Sequence, residues 1–477
     1  MSEHAAFASS ETASPEIRVV SELVARARKA MQAFADANQG RVDEGVTALA
    51  WSIYKPEHAK ELAEAAVQDT GLGNVSDKIT KNQRKTFGTL RDLLRVKTVG
   101  VIENDSARGI VKYAKPVGVV AAISPSTNPA ATPVNKAMMA IKGRNAIIIA
   151  PSPAGWPTTA RAVELMRMEL EKIGLRADLV QVLPAPVNKA LTQALMKACD
   201  LVVATGSQNN VRSAYSSGTP AIGVGTGNVP VIIDSSADLD DAAQKICASK
   251  IFDNATSCSS ENSLVIVDDV YDHAIAALKA AGGYLATADE KQAIKDALWV
   301  DGRLNRKLVA KDAGVFSREV GLPEAARQAR FFMVEEQGVG RDYPFSDEKL
   351  SLVLTLYRVG DFEAAARRTQ EILNYIGRGH SCGIHTKDMD HARRLAGEIE
   401  VVRVLVNQAH TFGNGGGFDN GLNFTLSMGC GTWGGNSISE NLNYRHFINI
   451  THLCTVIAED KPAEQDLFGA YWSRYGR

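Results

Sequence analysis

The sequence predicts an α/β protein built on parallel, helix-covered sheets. Three observations carry this expectation. From Val111 onward, short apolar runs alternate with segments of helical period. The runs at 119–123, 146–149, 229–233 and 264–267 are continuous in hydrophobicity, the pattern of strands buried on both faces. Glycine and proline mark the joints between them.

Taken in order, residues 1–14 are polar and rich in Ala and Ser, which predicts a disordered tail. From Pro15 an amphipathic helix is expected, with Ile17, Val20, Leu23, Val24, Ala27 and Met31 on one face. Two further helices follow, the second over about 58–67 and stopped by Gly71 and Gly73. Strand 119–123 leads into a helix that Thr132 caps and Pro133 opens, ending at Gly143. Strand 146–149 precedes a helix from Thr158 or Thr159, with Val163, Met166, Leu170 and Ile173 at helical spacing. Strands 179–183 and 201–204 flank a helix over 189–196. In such a β-α-β order, ligands sit at the carboxyl ends of the strands. Gly206 and Ser207 fall at one of those ends, before another helix whose first N–H groups suit a pyrophosphate.

Gly223-Val224-Gly225-Thr226-Gly227 imitates a dinucleotide fingerprint, but that motif must open a helix. Here it precedes strand 229–233, so it is expected to be active-site loop. A second α/β region from 235 holds helix 239–251, Cys258, strand 264–267 and helix 270–280. Helix 362–373 lies between strands near 352–357 and 402–406, and the glycine-dense stretch 413–436 reads as irregular loop.

Composition excludes several classes of function. The net charge is −1 and the 22% of charged residues are spread in both signs, so no basic footprint for nucleic acid or anionic lipid exists. No apolar run approaches the ~20 residues of a membrane span, and the N-terminus has no apolar signal core. Six scattered cysteines show neither a C-x-x-C pair nor a metal-like spacing to His, so no metal is expected and free thiols in a reducing cytoplasm are. Cys258 differs from the other five by its polar neighbours Ser257, Ser259, Ser260 and Glu261. Such a loop is expected to leave the thiol partly exposed and able to act as a nucleophile.

Seven segments in register now point to one family: PVGVVAAISPSTNP at 116–129, ATG at 204–206, AYSSGTPAIGVGTGN at 214–228, FDNATSC at 252–258, EKLS at 348–351, GH at 379–380 and GCGTWGGNS at 429–437. Through these the chain resembles the aldehyde dehydrogenase superfamily, and within it the CoA-acylating branch. The resemblance implies two three-layer α/β domains, a Rossmann-like cofactor domain over 15–234 and a catalytic domain over 235–440. Residues 441–477 would return to the cofactor domain or form an oligomer interface, so a homodimer or homotetramer is expected.

The implied chemistry is addition of the Cys258 thiolate to an aldehyde, hydride transfer to NAD or NADP, and a thioester on the enzyme. The Cys258 N–H and Asn128, or its neighbour Thr127, would hold the oxyanion. Ser124, Pro125, Thr127, Pro151, Gly206, Ser207, Gly225 and Glu348 would hold the nicotinamide cofactor, with Glu348 at the nicotinamide ribose. His380 would deprotonate coenzyme A or tune Cys258; a structural histidine is the competing expectation. Hydrolytic relatives place a glutamate 34 positions before the cysteine to activate water. This chain has Val224 there, so coenzyme A rather than water is the expected acyl acceptor. Glu261 is expected to be structural. Ala150-Pro151-Ser152-Pro153 lacks the carboxylate that excludes a 2′-phosphate, so NADP is admissible, with Arg161 as the cation that could come near. Arg378, with Arg403, His385 or Arg445, is the expected contact for an anion on the substrate; the alternative is a coenzyme A or surface contact. The chain is similar to acylating sulfoacetaldehyde dehydrogenases, which puts sulfoacetaldehyde first, ahead of succinic semialdehyde and acetaldehyde. A hydrolytic semialdehyde dehydrogenase and a non-catalytic scaffold are the competing functions.

Overall fold

The structure, a computed structural model, describes residues 14–477, so the expected tail lies outside the described residues except for Ser14. Four helices open the chain where three were expected: α1 (Pro15–Phe34), α2 (Gln39–Tyr54), α3 (Pro56–Thr70) and α4 (Val75–Leu94). Ser14 caps α1, and Val20, Leu23, Val24 and Ala27 of the expected face are buried. Helix α4 escaped the periodicity argument because its buried face is polar. It buries Lys78, Lys81, Asn82, Lys85, Thr86 and Thr89, which no apolar stripe announces.

Strands β1 (Gly100–Asp105) and β2 (Ile110–Pro116) form an antiparallel hairpin, which leads into β3 (Val119–Ser124). The chain then builds α5 (Ala131–Lys142), β4 (Ala146–Pro151), α6 (Trp156–Lys172), β5 (Val180–Val182), α7 (Lys189–Ala198), β6 (Leu201–Ala204), α8 (Gln208–Tyr215) and β7 (Ala221–Gly223). The order β5-β4-β3-β6-β7 is parallel throughout. The chain winds outward from β3 through β4 to β5, then crosses to β6 on the other side. That reversal makes the carboxyl ends of β3 and β6 a topological switch point, where a crevice opens. Helix α5 starts at Ala131, ahead of the expected Thr132 cap, and no side chain caps it.

A second parallel sheet begins with β8 (Val229–Ile233), followed by α9 (Leu239–Ile251), β9 (Glu261–Val267) and β10 (Gly283–Leu285). After the short pair β11 (Trp299–Val300) and β12 (Arg303–Leu304) come β13 (Phe331–Glu335), β14 (Val353–Val359), β15 (Cys382–His385) and β16 (Val404–Val406). Their order is β10-β13-β14-β9-β8-β15-β16. Because β8 pairs with β9 and β15, the boundary between the two sheets falls in 224–228, ahead of the expected 234/235. Alternate residues of β8 and β9 enter cores on opposite faces: Val231, Ile233, Leu264 and Ile266 on one, Ile232, Val265 and Val267 on the other. Burial on both faces is why these strands read as continuous apolar runs. The last strand, β17 (Ile448–Cys454), returns to pair antiparallel with β2, and Phe447 joins the core of the first sheet. Among the described residues no helix is long and apolar enough to cross a membrane.

One buried carboxylate joins the helical opening to the second sheet. Asp253 accepts from the Asn74 N–H at 3.0 Å, from Lys78 Nζ at 3.1 Å, from Thr256 Oγ1 at 2.7 Å, and from Lys81. Burial by itself would raise this carboxyl; the Lys81 and Lys78 charges outweigh that and hold it below the usual range. The stability it supplies is therefore present above the ordinary Asp value of about 3.9. It is lost only as pH falls through the lower folded-state value. Asp253→Asn strands two buried cations and is expected to cost about 3–5 kcal/mol, read from urea unfolding at neutral pH. A loss under about 1 kcal/mol would contradict the clamp.

Candidate active site

The two sheets meet end to end. Residues that follow strands of the first sheet face residues that precede strands of the second. Ser124 to Asn128 follow β3, Gly206 to Gln208 follow β6, and Val224 to Gly227 join β7 to β8. From the other side, Cys258 precedes β9, Glu348 precedes β14, and His380 precedes β15. The ligand-binding edge is thus the carboxyl edge of one sheet, as expected, and the amino edge of the other.

Two cavities open along the carboxyl edge of the first sheet, and the inner one reaches this junction. The outer one, about 410 Å³, is lined by Ser124, Pro151, Ser152, Asn188, Lys189, Asn210 and neighbours. The inner one, about 310 Å³, is lined by Pro125, Thr127, Asn128, Gly206, Ser207, Val224, Gly225, Cys258, Glu348 and Met428 among others. All eight expected cofactor residues therefore border one cavity or the other. The cation at the outer cavity is Lys189, not Arg161, which is held by Glu61 and Glu164 away from it.

The turn that presents Cys258 is unusual in its backbone. Asp253, Asn254 and Ala255 all take left-handed φ, at 50°, 53° and 58°. Each costs on the order of 1 kcal/mol, so the surroundings must hold them. They do: the Asp253 N–H donates to Asp77 Oδ2 at 2.7 Å, and Asn254 Nδ2 donates to Asp312 Oδ1 at 2.8 Å. Gly227 packs directly on the nucleophile. A Cβ there would overlap the Cys258 carbonyl oxygen and stand 2.7 Å from the Cys258 Cβ, so only glycine fits.

The polar neighbours of Cys258 do not give it a low pKa, contrary to expectation. Its surface is half-buried against the cavity, yet burial of the thiol pushes it up to about 12. Glu348 and Cys430 add to the rise, and Arg403 opposes it. Glu348 is itself pushed up to about 8 by burial and by Asp347. At neutral pH the resting site holds a thiol beside a largely protonated carboxyl.

Asn128 lines the inner cavity with its Nδ2 making only one long bond, 3.3 Å to Thr127 Oγ1, while its Oδ1 is buried without a partner. The Cys258 N–H likewise donates to no group among the described residues. Val224, at 6% exposure, presents an apolar wall in the same cavity. Glu261 sits apart from it: its Oε1 accepts from the His410 N–H at 3.0 Å, and its backbone oxygen accepts from Lys250.

Two expected residues are not brought into the cleft. His380 is fully buried, bonded through Nδ1 to Ser381 Oγ at 2.7 Å, and lines neither cavity. Burial, with Arg403 and His410 nearby, holds it neutral. Arg378 points outward and pairs with Glu400, its Nε donating at 2.6 Å. Arg403, His385 and Arg445 line neither cavity. The sequence reading missed the network that seats Glu348. Asn228 Nδ2 donates to the Ser346 carbonyl at 2.9 Å, Asn262 donates to Asn228 and to the Asp347 carbonyl, and Lys349 Nζ donates to the Phe345 carbonyl. Its one visible signal was Asn228 at the end of the glycine loop.

Comparison with known proteins now bears on this geometry. The family model described as "Aldehyde dehydrogenase family" matches residues 6–294. A sulfoacetaldehyde dehydrogenase (acylating) of Cupriavidus necator is 56% identical over 96% of this chain and 93% of its own. The chain belongs to the aldehyde dehydrogenase family. Another sulfoacetaldehyde dehydrogenase (acylating), of Bilophila wadsworthia, is 44% identical over 97% of this chain and all of its own length. A solved acetylating aldehyde dehydrogenase from Geobacillus thermoglucosidasius superposes with a TM-score of 0.89 at 36% identity, covering 94% of this chain and 98% of its own. In this aldehyde dehydrogenase a raised thiol pKa has a direct consequence. Iodoacetamide should alkylate Cys258 slowly at neutral pH in the free enzyme. The rate should keep rising about tenfold per unit of pH between 7 and 9.5; a plateau below pH 8 would contradict the burial argument.

Proposed function

We propose that this chain is a CoA-acylating aldehyde dehydrogenase whose aldehyde is sulfoacetaldehyde and whose product is sulfoacetyl-CoA. Cys258 adds to the carbonyl, and the thiohemiacetal oxyanion is held by the Cys258 N–H and the Asn128 amide, both without other strong partners. Thr127 is the alternative donor, since its hydroxyl accepts from Asn128 and keeps its own O–H free. NADP or NAD, bound across the two cavities, supplies the hydride acceptor. The buried, unpartnered Ser124 Oγ and the open backbone at Gly206 fit such a ligand, and Gly225 lines the same cavity while packing on Cys430. Lys189 at the outer cavity suits a 2′-phosphate, which favours NADP.

The observation that carries the choice of acceptor is Val224. It faces Cys258 where hydrolysis needs a base, Glu261 is turned to His410, and Glu348 is largely protonated. No carboxylate is free to take a proton from water, so the thioester persists until a thiol arrives. The reading of the relatives as acylating sulfoacetaldehyde dehydrogenases supports the same reaction and substrate. We further propose a homo-oligomer, since Ile450 and Leu453 on β17 and Leu467, Phe468 and Tyr471 beyond it are exposed apolar groups. A monomer mass in light scattering would contradict that.

Omitting sulfoacetaldehyde, NADP or coenzyme A in turn, and following reduced-nicotinamide absorbance, tests the reaction. Sustained turnover requires all three; sustained turnover without coenzyme A makes the enzyme hydrolytic. Cys258→Ala should fall to background. Val224→Glu should raise CoA-independent turnover by about 10²–10⁴-fold, the usual contribution of a placed general base.

A further inference from the structure

The buried charges around Cys258 do not balance. Helix α4 aims Lys78, Lys81 and Lys85 inward, and they are 3, 4 and 9% exposed. Lys78 and Lys81 converge on the single carboxylate of Asp253. Among the described residues Lys85 pairs with no carboxylate; its Nζ donates to the Gly415 carbonyl at 2.7 Å. Arg84 beside it lies over Phe412, Phe418 and Phe424 and donates only to the Phe412 carbonyl. Arg403, on the far side, gives its donors to Asn414, Asn441 and the carbonyls of His380 and Gly429, all neutral. Asp419 acts on Arg84 and Asp77 on Lys78, but among the described residues no acid pairs with Lys85 or Arg403. Glu348 and Glu261 are both held largely protonated or half-protonated by burial, and the cations that stabilise them are Lys349 and Lys250. Buried cations without counter-ions are costly, and such an excess in a ligand site marks the place of an anion.

Lys85 is the cation placed to meet one. Its Nζ and Met428 Sδ fill the same space beside Gly415, and Met428 lines the inner cavity with Cys258. Ser259, the residue after the nucleophile, donates its hydroxyl to that same sulfur at 3.3 Å. Lys85 itself lines neither cavity: its Nζ stands behind Met428, and its charge and the Cys258 thiol act on each other. We infer that Lys85, from behind Met428, attracts the anionic end of the aldehyde, a sulfonate or carboxylate, and so sets preference for charged over plain aldehydes. This rests on the reading of Cys258 as the nucleophile of an aldehyde dehydrogenase. Burial pushes Lys85 down to about 7, and an arriving anion restores its full charge, which strengthens the contact. Arg378, paired with Glu400 on the surface, has no access to the same aldehyde.

The test compares kcat/KM for sulfoacetaldehyde, succinic semialdehyde and propionaldehyde, at saturating NADP and coenzyme A, in wild type, Lys85→Met and Lys85→Arg. Lys85→Met should lose about 10–100-fold more on the two anionic aldehydes than on propionaldehyde, mainly through KM. Lys85→Arg should recover part of that difference. Equal losses on all three aldehydes overturn the inference. A second measurement needs no variant: isethionate, which keeps the sulfonate and lacks the aldehyde, should compete with propionaldehyde in wild type. Absence of competition at tens of millimolar overturns the inference even where Lys85→Met fails to fold. Wild-type turnover of succinic semialdehyde but not sulfoacetaldehyde would sink the named substrate and leave the Lys85 contact standing. Turnover of propionaldehyde alone, without competition, would do the reverse to the contact while leaving the dehydrogenase intact.

Discussion

The Asp253 carboxylate ties together parts of the chain that have no other reason to meet. It sits five residues before Cys258, in the left-handed turn that presents the thiol, and it gathers the start of α4 through Asn74, Lys78 and Lys81. Without that carboxylate two lysines would be buried with no anion to meet them, beside a left-handed turn that Asp77 and Asp312 also hold. The interaction thereby fixes the nucleophile relative to the helix that brings the remaining cations. Gly227 closes the same site from the first sheet, at a distance that tolerates no side chain.

The arrangement explains why the site is both quiet and selective. A thiol driven up to about 12 does not react indiscriminately, and the charge it needs must come with the ligands. Val224 gives the inner cavity an apolar wall, and helix α4 brings Lys85 behind Met428. On the proposed reading the first sets the acyl acceptor and the second the substrate preference.

Much of this was legible in the sequence because it depended on local pattern. Continuous apolar runs found β3, β4, β6, β8 and β9, and Gly223–Gly227 leads into β8 rather than opening a helix, as its place before an apolar run implies. Position in a motif found Cys258 and eight residues that border one cavity or the other, but not Lys189 or Met428. What escaped depended on tertiary partners. Helix α4 hides because its inward face is lysine, asparagine and threonine, whose burial makes sense only once Asp253 and the 412–424 loop are in place. Lys85 escaped with it. Arg378 and His380 were attractive by neighbourhood in sequence, yet one turns to Glu400 and the other packs behind Arg403. Spacing cannot tell which side of a strand end faces the cleft, and at β15 it is the wrong side for both.

The central claim is that Cys258 carries an acyl group that water cannot remove and coenzyme A can. Mass spectrometry of a single turnover tests it most directly. Enzyme mixed with sulfoacetaldehyde and NADP, without coenzyme A, should release one reduced nicotinamide per active subunit and leave a sulfoacetyl thioester on the Cys258 peptide. Adding coenzyme A should clear that adduct and yield sulfoacetyl-CoA. An unmodified Cys258 after nicotinamide reduction, or an adduct that disappears in buffer as fast as with coenzyme A, would contradict the account.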